Sequence, residues 1–148
     1  MSELTTDEEF RRVLEEARTI AVLGAHTSPE KPARYVPDYL ASQGYRILPV
    51  NPVFAGRTLW GETVRGTLAE IDEPVDIVDV FRHPELLMTH LDDITSMQPL
   101  PKLVWLQLGI RHDEFTRQLT LAGIRVVQDR CTLADHRNFG LEPVAPAR

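Results

Sequence analysis

The residues of this 148-residue chain whose types could do chemistry fall into five short clusters, each at the end of an apolar run. Gly24, Ala25, His26, Thr27 and Ser28 follow Ile20 to Leu23, and Asn51 with Pro52 follows Tyr45 to Val50. Phe81, Arg82, His83 and Pro84 close the run that begins at Val75. Gln107 lies at the end of Leu103 to Leu108, and Arg130 with Cys131 comes after Ile124 to Val127. The first cluster is the most informative. An apolar strand that passes through a small polar turn into a helix can hold a phosphate with backbone amides, with the hydroxyls of Thr27 and Ser28, and with the positive end of the helix. The turn carries one glycine where the dinucleotide fingerprint has three, and the second run ends in PVNP, with no acid to hold the ribose hydroxyls of NAD.

Other groups carry less. His26 could act as a general base, but no Ser, Cys or Asp is placed to complete a relay. Asp76 and Asp79, three apart in a strand, point to opposite faces and cannot form a carboxylate pair. Arg82 and Arg130 read equally well as surface ion pairs and as ligand contacts, and Cys131 as a small buried apolar residue or a thiol. Trp60 and Trp105 suit the core or an interface. The five histidines lack metal-ligand spacing and a single cysteine cannot build a thiolate cage, so neither a metal nor a catalytic residue is assigned.

The elements that must position these clusters are legible from periodicity. Thr6 to Ala17 predicts a helix, with Thr6 and Glu9 as a capping box and Phe10, Val13, Leu14 and Ala17 on one face. It is expected to pack across the sheet edge or on a partner. Pro32 suits a first helical position, with Val36, Tyr39 and Leu40 apolar and Gly44 as the stop. Pro37 predicts a late start or a kink near Val36. Residues 53–73 read as irregular, with one helical turn at Thr67 to Ile71. A helix carrying Leu87, Leu91 and Ile94 follows Pro84, and another spans Asp113 to Leu121, stopped by Gly123. Strands alternating with helices predict a single α/β domain, a Rossmann-like doubly wound parallel sheet in three layers, with ligand beyond the carboxyl ends of the strands. Residues 1–18 then form an N-terminal helix packed on the domain, 19–140 the domain itself, and 141–148 a flexible Pro/Ala tail.

Composition excludes several classes. The net charge is −6 and no run of Lys or Arg appears, which argues against a nucleic-acid partner. No stretch is long or apolar enough to span a bilayer. The N-terminus lacks a signal peptide's basic and apolar regions, so the cytoplasm is the expected compartment.

Taken in order, IAVLGAHTSPEKP, RILPVNP, VDIVDVFR with Pro84, VWLQLGI and VVQDRC resemble the small single-domain CoA-binding protein family, related to the CoA-binding domain of the succinyl-CoA synthetase alpha subunit. The resemblance runs from about Leu14 to Gly140. It implies a coenzyme A or short acyl-CoA ligand, with the pyrophosphate on the first turn and the adenosine near Asn51 and Pro52. Carried over by position, it implies cofactor contacts at Gly24, Ala25, Thr27, Ser28, Asn51, Pro52, Phe81, Arg82, Pro84, Gln107, Arg130 and Cys131, with His26 at the ligand edge. Relatives often place a basic residue after Asn-Pro where this chain has Val53, so the 3′-phosphate contact could shift to Lys31, Arg57 or solvent. The synthetase's second domain has no counterpart here, so ligase activity does not carry over, and a non-catalytic or regulatory role is expected. Two alternatives stand beside it. One is a small NAD(P)-binding oxidoreductase, with Arg57 meeting a 2′-phosphate. The other is an interaction protein with a vestigial nucleotide site, a homodimer through its first helix and residues 53–73.

Overall fold

The computed structural model describes residues 3–144. Five parallel strands, β1 (Thr19–Leu23), β2 (Arg46–Val50), β5 (Ile77–Val80), β6 (Leu103–Leu106) and β7 (Arg125–Val127), form one sheet in the order β2-β1-β5-β6-β7. The strands are almost wholly buried, and their side chains alternate between two cores. Ile20, Val22, Ile77 and Trp105 face one side; Ala21, Leu23, Val78, Val80, Val104 and Leu106 face the other. Such a sheet must be covered on both faces, as the near-continuous apolar strands require. The expected doubly wound α/β architecture is the one observed.

Helix α1 (Asp7–Glu16) begins where its capping box predicts. Thr6 Oγ1 accepts from the Glu9 amide at 3.2 Å, and Glu9 Oε1 accepts from the Thr6 amide at 3.1 Å. Its apolar stripe of Phe10, Val13 and Leu14 is spent within the chain, on the sheet face that carries Trp105, whose ring lies 6.0 Å from that of Phe10. The helix thus covers a face, whereas the sheet edge is met by the segment before it: the Leu4 amide donates to the Val126 carbonyl at 2.8 Å.

Helix α2 (Pro32–Ser42) starts at Pro32 and continues through Pro37, correcting the expectation of a late start. Pro37 has no N–H for the carbonyl of Ala33, which would otherwise be left open. That carbonyl accepts instead from the His26 amide at 3.3 Å, so the proline's missing donor becomes a tie between α2 and the first turn.

Residues 53–73 hold more structure than was read from them. A 3-10 turn (Pro52–Phe54) leads to a hairpin of β3 (Thr58–Leu59) and β4 (Glu62–Thr63), which turns at Trp60 and Gly61. A second 3-10 turn (Leu68–Glu70) is capped by Thr67. After β5 the expected single helix is a 3-10 segment (Pro84–His90) running into α3 (Leu91–Thr95), and it buries Leu87 and Ile94 as expected. Helix α4 (Asp113–Leu121) matches its prediction.

Helix α5 (Thr132–Asn138) had no counterpart in the sequence reading. The residues it buries are Thr132, Asp135 and His136, so it shows no apolar period to detect. Beyond it the chain returns to α2, where the Val144 amide donates to the Gln43 carbonyl at 2.8 Å. The rest of the expected flexible tail, 145–148, lies outside the described residues. Among the described residues, no helix is long and apolar enough to cross a membrane.

Candidate functional site

The strand order reverses between β1 and β5, because the chain leaves β1 toward β2 and later returns to β1's other side. In an open parallel sheet a crevice forms at this point, beyond the carboxyl ends. Here it is a cleft of about 660 Å³ between the first turn, the start of α2, and the loops after β5, β6 and β7. Gly24 makes the junction close. Its φ is +94°, and a Cβ placed there would meet the Phe81 carbonyl oxygen at 2.5 Å and Arg82 Cδ at 3.2 Å. Only glycine lets the two strand ends approach this nearly.

The first turn binds itself more than the sequence suggests. The amides of Gly24 and Ala25 both donate to the Val50 carbonyl, at 2.8 and 3.2 Å, and that of His26 goes to Ala33. The Ser28 amide donates to His26 Nδ1 at 2.9 Å, which leaves the ring proton on Nε2. Thr27 and Ala33 have no such backbone partner among the described residues, so the amides free for an anion sit at the end of the turn and on α2. Asn51 is 7% exposed and serves as a brace. Its Nδ2 donates to the Ala25 carbonyl and its Oδ1 accepts from the Val53 amide, both at 2.9 Å, which fastens the β2 end to the first turn.

Charge in the cleft is one-sided. Among the described residues, Lys31 and Arg82 line it with His26 and His83, and no Asp or Glu does. Arg82 has no carboxylate within ion-pair distance among the described residues; its Nε donates to His90 Nε2 at 3.2 Å. Burial first, and then the Arg82 charge, holds the His90 pKa below its ordinary value, which agrees with its role as the acceptor of this bond. The open choice for Arg82 thus resolves to a cation held at the cleft without an ion pair.

Arg130 resolves the other way. It makes a two-pronged pair with Asp135, at 3.0 and 2.6 Å, and its guanidinium lies 4.6 Å from the centre of the Phe10 ring. It braces α1 and α5 and does not line the cleft. Its neighbour Cys131 does.

The far end of the cleft is floored by Gln107. Gln107 Nε2 donates to Asp79 Oδ1 at 2.6 Å and to Thr132 Oγ1 at 2.8 Å, and Thr132 Oγ1 donates to Asp79 Oδ2 at 3.2 Å. Asp79 is fully buried, and burial pushes its carboxyl up to about 7 against the pull of those two hydrogen bonds. Tyr35, Leu86, Leu108 and Ile110 add apolar lining to the cleft, with Leu108 71% exposed.

Of the residues singled out from sequence, the cleft brings together Gly24, His26, Lys31, Asn51, Phe81, Arg82, His83, Pro84, Gln107 and Cys131. Ala25 is buried beneath the turn, and Thr27, Ser28, Pro52 and Arg130 lie outside the lining. Arg57 is also outside it, stacked 6.0 Å from the Phe54 ring centre. The apolar wall of Tyr35, Leu86, Leu108 and Ile110 was not foreseen. Leu108 and Ile110 flank Gly109 just past β6; Leu108 reads from sequence as the last residue of that strand, which stops two residues earlier, and Ile110 is not singled out.

An open doubly wound sheet with a carboxylate-free cleft at its switch point defines an α/β domain of the nucleotide-binding kind. The chain belongs to the CoA binding domain family, whose model matches residues 18–137. It is 30% identical over 128 residues to an uncharacterized protein, YneT, of Bacillus subtilis (strain 168), covering 86% of this chain and 92% of that protein. It is similar to a solved Thermus thermophilus protein, cell-free ID.343, at 54% identity and a TM-score of 0.86, over 90% of this chain and 98% of the other. The fold also matches part of a dinucleotide-forming acetyl-coenzyme A synthetase 1 from Ca. Korarchaeum cryptofilum. There the TM-score is 0.65 at 20% identity, over 79% of this chain and 26% of the synthetase.

Proposed function

We propose that this chain is a coenzyme A binding protein that holds CoA or a short acyl-CoA in the cleft at the β1/β5 switch point and acts by binding, as a carrier or regulatory module. The observation that carries the reading is the cleft's charge. In a chain of net charge −6, the lining supplies Lys31 and Arg82 and, among the described residues, no carboxylate, which suits a polyanion. Membership of the CoA binding domain family supports the same ligand.

In this reading the pyrophosphate lies at the start of α2, near the Thr27 and Ala33 amides and between Lys31 and Arg82. The pantetheine arm then crosses the ends of β5 and β6 toward Cys131. Strands lie about 4.8 Å apart, so β1 to β7 spans roughly 14 Å, a reach that suits an extended arm. Lys31 is the cation proposed for the 3′-phosphate that Val53 cannot hold, since Arg57 stands outside the lining.

Titration calorimetry and thermal melts with CoA, dephospho-CoA and NADPH test the proposal. A ligand selective for the folded state, at about one hundred times its Kd, stabilises it by roughly 2.7 kcal/mol. CoA is expected to give heat and a raised Tm, dephospho-CoA a weaker response and NADPH the weakest. Preferential stabilisation by NADPH would favour the oxidoreductase reading.

A further inference from the structure

The hydrogen bonds under the cleft floor fix more than the position of Gln107. A carboxamide has a donating end and an accepting end, and the surroundings decide which end faces which way. At pH 8, above the Asp79 pKa of about 7, an ionised carboxylate that can only accept stands below Gln107, beside a hydroxyl whose proton is given to that carboxylate. Two acceptors therefore meet the amide from inside the protein, and both are filled by Nε2, at 2.6 and 2.8 Å. Turning the amide over would set Oε1 against Asp79 Oδ1 with no proton between them, and would leave a fully buried carboxylate without its second donor. The main-chain groups of Gln107 are also occupied, the N–H by Val80 and the carbonyl by Ile110. What remains is Oε1, which has no donor among the described residues and is not sealed from solvent, on a residue that lines the cleft.

We propose that Gln107 Oε1 is a fixed hydrogen-bond acceptor for a secondary amide N–H of the ligand, and that Asp79 and Thr132 are positioning residues that set its polarity. The inference rests on the CoA reading, in which the pantetheine arm carries such amides past the β6 end. The three residues come from β5, the position just past β6 and the first residue of α5, so the triad also fixes where α5 begins, directly after Cys131. The cleft then reads its ligand in two places by opposite chemistry. Cations and amide donors meet the phosphates, and one locked acceptor meets the arm.

The test compares CoA with 3′-phosphoadenosine 5′-phosphate, which lacks the pantetheine arm, by calorimetry at pH 8, where Asp79 is ionised. Gln107→Leu removes the acceptor. Thr132→Val removes the hydroxyl that links Gln107 to Asp79, and Thr132→Ser keeps it. Gln107→Leu and Thr132→Val are expected to weaken CoA about ten-fold, a loss of about 1.4 kcal/mol, while the truncated analogue stays within about two-fold and Thr132→Ser behaves as wild type. Melting curves report whether each variant folds, and if Gln107→Leu does not, the Val/Ser pair at 132 decides. Unchanged CoA affinity in the variants, or equal weakening of CoA and the analogue, overturns the inference while leaving CoA binding standing. A wild-type protein that binds neither compound overturns the CoA reading, and this inference with it.

Discussion

Replacing Gly24 by Ala probes the junction on which the cleft depends. The new Cβ would stand 2.5 Å from the Phe81 carbonyl oxygen, well inside ordinary contact, and that oxygen belongs to backbone that cannot swing aside. The neighbouring Phe81 amide donates to the Leu23 carbonyl at 2.9 Å, so relieving the overlap means prying apart the paired ends of β1 and β5. Gly109 supplies the control. It also has a positive φ, +85°, but nothing lies within 4 Å of a Cβ there, so Gly109→Ala isolates the backbone term, about 1 kcal/mol. Adding the steric term, of order 1–3 kcal/mol for an overpacked site, puts Gly24→Ala at about 2–4 kcal/mol. At roughly 2–4 °C per kcal/mol, Tm should fall by about 5–15 °C for Gly24→Ala and by about 2–4 °C for Gly109→Ala. Differential scanning calorimetry of both variants, with CoA titration of each, is the assay, and Gly24→Ala should also bind CoA more weakly because its cleft wall has moved. Equal Tm losses in the two variants would refute the close approach as the reason for glycine at 24.

Arg82→Ala should weaken CoA by about ten-fold or more through loss of a charge-assisted contact, with little change in Tm. Arg130→Ala should do the reverse, since it strands the buried Asp135 carboxylate; a loss of about 2 kcal/mol in a melt with unchanged CoA affinity is expected, and matching effects from both arginines would contradict their assignment. Asp79→Asn should show the cost of burying an acid. The folded-state pKa of about 7 lies above the unfolded value of about 3.9, so wild type is favoured most below pH 4. Its stability relative to the variant then falls as pH rises to about 7 and levels off, by at most roughly 4 kcal/mol. Melts from pH 4 to 8 check this, and a pH-independent gap would argue against it. Thr6→Ala should cost about 1 kcal/mol by opening the capping box on α1 and leave CoA titrations unchanged.

How much of this was legible in the sequence follows from what each element buries. The five strands and α4 bury apolar side chains at regular intervals, so periodicity found them. Helix α5 packs through Thr132, Asp135 and His136, and two of these are secured by partners far away in sequence: Asp79 and Gln107 for Thr132, and the Tyr39 hydroxyl, 2.7 Å from His136 Nδ1, while Asp135 is held by Arg130 just before the helix. No local pattern encodes the distant pairings. The candidate site divides the same way. The strand-end rule brought ten of the named residues to one cleft, but sequence could not tell that Asn51 would brace two loops or that Arg130 would turn to Asp135 while Arg82 stayed without an ion pair. Pro37 is the instructive case. Read as a helix defect, it frees the Ala33 carbonyl that the His26 amide then fills.

The central claim is that the carboxylate-free cleft holds coenzyme A. The most direct measurement is calorimetric titration of the full chain with CoA beside NADPH in the same buffer. The account predicts saturable heat at one CoA per chain, lost or sharply weakened in Arg82→Ala. Absence of heat with CoA, or tighter binding of NADPH, would contradict it.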